Sequence, residues 1–167
     1  MPQDPIQIDP QRVRVMQIIV IALVTGVATF AAVAVVQAQG KPPGVPFLAY
    51  VGAGVATIVV VARMFVPRIV AITQGRQASA GFDLEKDQQK LVDTFCGTYQ
   101  TKVVMENALL EGAAFLNLIA YMVETQTMSL AVAGGLVSIM LLSFPTGGRV
   151  ESWVREQFEA IELDRQD

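Results

Sequence analysis

Ala22-Leu23-Val24-Thr25-Gly26-Val27-Ala28 returns as Ala108-Leu109-Leu110-Glu111-Gly112-Ala113-Ala114, 86 positions later. Val51-Gly52-Ala53-Gly54-Val55-Ala56-Thr57-Ile58 returns as Val132-Ala133-Gly134-Gly135-Leu136-Val137-Ser138-Ile139, 81 positions later. All four segments lie in long apolar runs. The chain therefore reads as an all-α integral membrane four-helix bundle, made of two tandem, parallel-repeated transmembrane hairpins. The copies agree in size and hydropathy but differ at one point: Thr25 of the first is Glu111 of the second. A carboxylate deep in a bilayer costs roughly 2.5–3.5 kcal/mol on insertion scales, so Glu111 needs a reason to be there.

The surrounding composition fits that reading. Hydrophobic residues make up 53% of the chain and charged residues only 16%, against about 25% charged in an ordinary soluble domain. The charges crowd between four apolar stretches. A net charge of −3 argues against a nucleic-acid partner, which calls for a basic face. With no histidine and a single cysteine, Cys96, the common zinc, haem and iron–sulfur ligand sets are missing. No cofactor or metal is expected, and Cys96 reads as a small buried residue. No nucleophile–base pair or phosphate loop stands out, so no enzymatic activity is expected.

The four spans are expected over residues 13–38, 47–72, 103–123 and 128–144. The last is short against the roughly 20 residues that cross about 30 Å of hydrocarbon. Pro145, Gly147 and Gly148 stop it. The first apolar run is too long for a signal-peptide core and is read as a retained span. The organisation is a tail (1–12), a first hairpin (13–72), an amphipathic linker (73–102), a second hairpin (103–145) and an amphipathic tail helix (146–167). Of the 12 Lys and Arg residues, only Lys41 falls in a hairpin loop. By the positive-inside rule both termini and the linker face the cytoplasm of a bacterial inner membrane. An even number of spans separates the copies, so they run parallel, unlike the inverted repeats of many transporters.

The third span carries the polar residues. Asn107, Glu111 and Asn117 fall within about 120° of helical arc, at 100° per residue. They form, with Thr25, the candidate intramembrane polar site. Two readings stand side by side: Glu111 fixes packing through hydrogen bonds with Asn107, Thr25, Thr29 or Ser138, or it handles protons or cations. A role in binding a partner is a third. Arg63 has a depth similar to Glu106, which makes them a candidate ion pair. Ala22, Gly26, Ala108 and Gly112 place small residues on helix faces that suit close packing, within hairpins or between subunits.

The flanking segments are amphipathic. In the linker, Asp83 can cap a helix on which Leu84, Leu91, Phe95 and Tyr99 share a face. That helix either lies on the membrane or continues into the third span. In the tail, Val150, Trp153, Val154, Phe158 and Ile161 fall at helical spacing. This helix reads as a lipid-surface helix, a lid on the bundle, or a docking surface for a partner.

The run from Tyr99 to Phe115, with Ala108-Leu109-Leu110-Glu111-Gly112 inside it, then Ile119-Ala120-Tyr121 and Pro145, resembles a family of small bacterial four-span membrane proteins. Their third helix carries an Ala-Leu-x-Glu-Gly core. The resemblance implies the bundle and no activity. A more distant likeness is to the proteolipid subunits of rotary ATPases, hairpin-built with one intramembrane Glu. This chain lacks their Gly-x-Gly-x-Gly helix, and its carboxylate is on the first helix of its hairpin. The reading that follows is a non-enzymatic structural or accessory subunit. It packs in the lipid bilayer with copies of itself as a homo-oligomer, or with a membrane-protein partner. The alternative is a proteolipid-like or channel-like oligomer working through Glu111.

Overall fold

A computed structural model describes the backbone of residues 9–79 and 88–164, with side chains described over 9–65 and 90–159. Every element among the described residues is helical. In chain order they are α1 (Pro10–Ala38), α2 (Phe47–Ser79), α3 (Gln88–Glu124), α4 (Thr127–Leu142) and α5 (Gly147–Asp164). Asp83 and Leu84 of the expected linker cap, and the tail before residue 9, lie outside the described residues.

Local chemistry explains the boundaries. At the start of α1 the Asp9 carboxylate accepts the Gln11 N–H at 2.9 Å, and Pro10 sits in the first turn, where its missing N–H costs nothing. Gly40, with φ +77°, turns the chain out of α1, and Thr125, with φ +53°, turns it out of α3. Pro145 separates α4 from α5, which leave each other at 73°.

Three helices are long and apolar enough to cross a membrane: α1, the Phe47–Phe65 part of α2, and α3 from Lys90 to Glu124. The fourth expected span is α4, whose 16 residues make about 24 Å at 1.5 Å per residue. It reaches the required length only when α4 and α5 are taken together as one bent pair.

α3 is the axis of the molecule. α1, α2 and α4 all pack on it, and α1 and α2 make no direct helix–helix contact among the described residues. Of the two expected settings for close packing, within hairpins or between subunits, the first is seen between α3 and α4 and not between α1 and α2. Two helices joined by a short loop need only lie near each other, and here each finds a better neighbour in α3. Both inter-helix loops lie at the same end. The Gly44 N–H donates to the Glu124 carbonyl at 2.8 Å, bringing the α1–α2 loop against the end of α3. We call this the loop end. At the opposite, terminal end, Arg12 pairs with Asp93 at 3.3 Å and α5 closes over α1 and α3.

The linker helix continues without a break into α3, which is 37 residues long. Its apolar face, Leu91, Phe95 and Tyr99, is buried with Met16 and Val20 of α1 and Val150 and Val154 of α5. Of the expected places for α5, the structure has the lid. Val150 and Val154 are 0% exposed, turned onto the bundle and not outward. Cys96 is buried in the same cluster. A second cluster, centred on Val27, Leu110, Leu118, Leu136 and Met140, joins α1, α3 and α4 further along.

Candidate functional site

The polar side chains of α3 divide between two faces. Glu106, Asn117 and Glu124 are spaced by 11 and 7 residues, which at 100° per residue returns each to within about 20° of the same direction. That direction faces α2. Asn107 and Glu111 lie roughly 100° and 140° further round, and Glu111 stands against α1.

The stripe facing α2 is engaged along its length. At one end Arg63 Nε of α2 lies 3.4 Å from Glu106 Oε2. The same guanidinium donates to the Ser143 hydroxyl, which donates in turn to the Ile139 carbonyl at 2.6 Å. Arg63 therefore ties α2 to α3 and to the end of α4. In the middle, the Asn117 amide donates to the Gly52 carbonyl across the interface at 3.1 Å and to Ala113 of its own helix at 2.8 Å. Gly52 is required for this: a Cβ there would stand 2.7 Å from Asn117 Oδ1. At the loop end, Glu124 accepts the Leu48 N–H at 2.5 Å and the Ala49 N–H at 2.9 Å. It caps the first turn of α2, where orphan N–H groups and the helix dipole both favour a carboxylate.

Glu124 is the residue that sequence reasoning missed. It stands at the end of its span and reads as a loop residue. The available signal was its register with Glu106 and Asn117. The distance from Glu106 to Glu124, 18 residues or about 27 Å along a helix, is close to the roughly 30 Å of a bilayer core. The two acids at the ends of the stripe are thus spaced like its two edges.

The other face is less engaged. Asn107 is buried and its amide donates back to the Val103 carbonyl at 2.8 Å. Its Oδ1, like Glu106 Oε1, Asn117 Oδ1 and Ser129 Oγ, has no hydrogen-bond partner among the described residues. Glu111 is half-buried. Its Oε1 lies 3.6 Å from where a Cβ on Gly26 would stand, so the absence of a side chain at Gly26 makes room for the carboxyl. The hydroxyls expected as its partners are turned elsewhere. Thr29 donates to the Thr25 carbonyl at 2.8 Å and Ser138 to the Gly134 carbonyl at 2.9 Å, each within its own helix. Glu111 has no hydrogen bond to Thr25, Thr29, Ser138 or Asn107 among the described residues.

The small-residue faces divide likewise. Gly26 meets Glu111 across the α1–α3 contact, while Ala22 is exposed. Ala108 and Gly112 are exposed with Met105, Leu109 and Ile119 on the open side of α3, and nothing lies within 4 Å of a Cβ on Gly112. No group of three or more His, Cys, Asp or Glu residues placed to hold a metal occurs among the described residues. No protein-family model, curated protein or solved structure matches the chain.

Proposed function

We propose that this chain is a non-enzymatic integral membrane protein of the bacterial inner membrane, a structural or accessory subunit that self-associates or supports a larger membrane complex. One observation carries the reading: the polar side chains on the α2-facing side of α3 are spent on holding helices together. Glu106 holds Arg63, Asn117 holds the Gly52 backbone, and Glu124 caps α2. Such groups are expensive in lipid, and in this bundle they tie helices that have little hydrophobic drive to associate there.

The orientation follows from charge. Arg12, Arg14, Lys90, Lys102, Arg149 and Arg155 gather at the terminal end, and Lys41 alone is at the loop end among the described residues. The terminal end is the cytoplasmic one. The tandem repeat is supported by depth: Glu111 abuts Gly26, so Gly26 and Gly112 stand at similar heights on parallel helices. Interaction with a second copy or another membrane subunit uses the exposed apolar faces, including Met105, Leu109 and Ile119 of α3.

The second reading, ion handling through Glu111, is favoured by one fact. This half-buried carboxyl has no hydrogen-bond partner among the described residues. The size of the protein in mild detergent separates the two. A monomer, a small oligomer or a co-purifying membrane protein is expected, and a large closed ring would favour the proteolipid-like alternative.

A further inference from the structure

We propose that the corner where α5 crosses the ends of α3 and α4 binds the phosphate headgroup of an anionic phospholipid through Lys102 and Arg149. The proposal rests on the membrane reading above, which makes this corner the cytoplasmic interface.

Lys102 Nζ stands 5.7 Å from the centre of the Tyr99 ring and 6.0 Å from that of Trp153. Arg149 precedes Trp153 by four residues on α5, so the two share a helix face. Lys102 thus lies beside a Tyr–Trp pair whose rings are 5.4 Å apart, and Arg149 stands one helical turn before its Trp. Arg149 is exposed and held in place, with Nη1 donating to the Leu142 carbonyl at 2.8 Å. That bond fixes the guanidinium at the exit of α4 and leaves its other N–H groups for a ligand.

Neither cation has an ion pair among the described residues, and the two nearest acids in sequence each have another partner. Glu106, one turn from Lys102, is paired with Arg63, and Glu151, two residues from Arg149, is paired with Arg155 at 3.2 Å. On the side toward the loop end, Leu141 and Leu142 are exposed at 54% and 75%. An apolar surface thus adjoins a cationic, aromatic corner at the level where headgroups meet acyl chains. This combination recognises an anionic phospholipid: guanidinium and ammonium on the phosphate, Trp at the interface, and chains along the leucines.

The test titrates the purified full-length chain, in a neutral detergent, with phosphatidylglycerol and with phosphatidylcholine, reading bound lipid by native mass spectrometry. Wild type retains phosphatidylglycerol preferentially. Lys102→Gln and Arg149→Gln each weaken that retention by about fivefold, the factor expected for one basic residue near an anionic surface. Arg149→Lys keeps most of it, and Arg14→Gln, an exposed cation at the same end, leaves it unchanged. Equal retention of the two lipids, or an equal loss from Arg14→Gln, overturns the proposal. So does saturation of the site by inorganic phosphate alone, which would make the ligand a free anion. Failure of the membrane reading looks different: the protein would stay in solution without detergent and retain neither lipid.

Discussion

The two ends of the molecule are closed by different physics. At the loop end the contacts are polar and directional. Besides the Glu124 cap, Gln126 donates to the Gly44 carbonyl at 2.7 Å, Thr125 to the Pro42 carbonyl at 3.0 Å and Lys41 to the Met122 carbonyl at 3.4 Å. At the terminal end the closure is mostly apolar and aromatic. Val150 and Val154 sit on Met16 and Val20, and Phe95 meets Phe158 edge-on at 5.4 Å. Short loops carry backbone groups that must be satisfied, so the loop end is pinned by a few bonds that tolerate little change. An amphipathic helix docks by area, so the terminal end should give way by degrees.

The largest break is expected where the terminal end meets the polar stripe. Arg63→Met leaves the Glu106 carboxylate buried without its partner, a loss of about 3 kcal/mol at the low end for a broken buried pair. Glu106→Gln added to Arg63→Met should recover a large part of it, because the stranded charge is removed. Thermal unfolding in detergent reads both. A double variant no better than Arg63→Met would separate Arg63 from Glu106 and shift the weight to Ser143.

At the loop end, Glu124→Ala strips the acceptor from the Leu48 and Ala49 N–H groups and should cost about 2 kcal/mol. Glu124→Gln should cost less, since the amide keeps one oxygen. Hydrogen exchange sharpens the point: in Glu124→Ala the Leu48 and Ala49 amides exchange faster while the α5 amides do not. Protection lost equally at both ends would mean that the two closures are not independent.

The smallest effect belongs to the lid. Val154→Ala should cost about 1.6 kcal/mol, the transfer cost of two buried methyl groups at about 0.8 kcal/mol each. Its readout is Cys96, buried beneath the same cluster. The thiol should be nearly inert to maleimide in the wild type and labelled faster in Val154→Ala, with Glu124→Ala leaving the labelling rate unchanged.

Hydropathy and helical periodicity carried much of this architecture because they are local. The apolar runs locate the helices, and Leu91, Phe95 and Tyr99 share a face that a count of residues reveals. Counting depth also puts Arg63 near Glu106, and 3.4 Å separates them. The missing information was about which face meets which. A lipid-facing surface and a helix-facing one are both apolar, so nothing in α1 and α2 announces that each prefers α3 to the other. Glu124 looked like a loop residue because its partners, Leu48 and Ala49, are 75 or more positions away. Gly52 looked like one more small residue in a stripe, and its need for Asn117 appears only once α2 and α3 are side by side. Asn107, Glu111 and Asn117 share an arc, yet Asn117 serves α2 while Glu111 stands against Gly26.

On the proposed reading the polar groups of α3 serve the architecture and do not carry ions. Proton and sodium flux into liposomes containing the purified protein tests it most directly, with Glu111→Gln as the companion. The amide keeps the size and hydrogen-bonding capacity of the carboxyl but cannot gain and lose a proton at working pH. No flux above empty liposomes is expected from either protein, with nearly equal thermal stability. Flux from the wild type that disappears in a folded Glu111→Gln protein would contradict it.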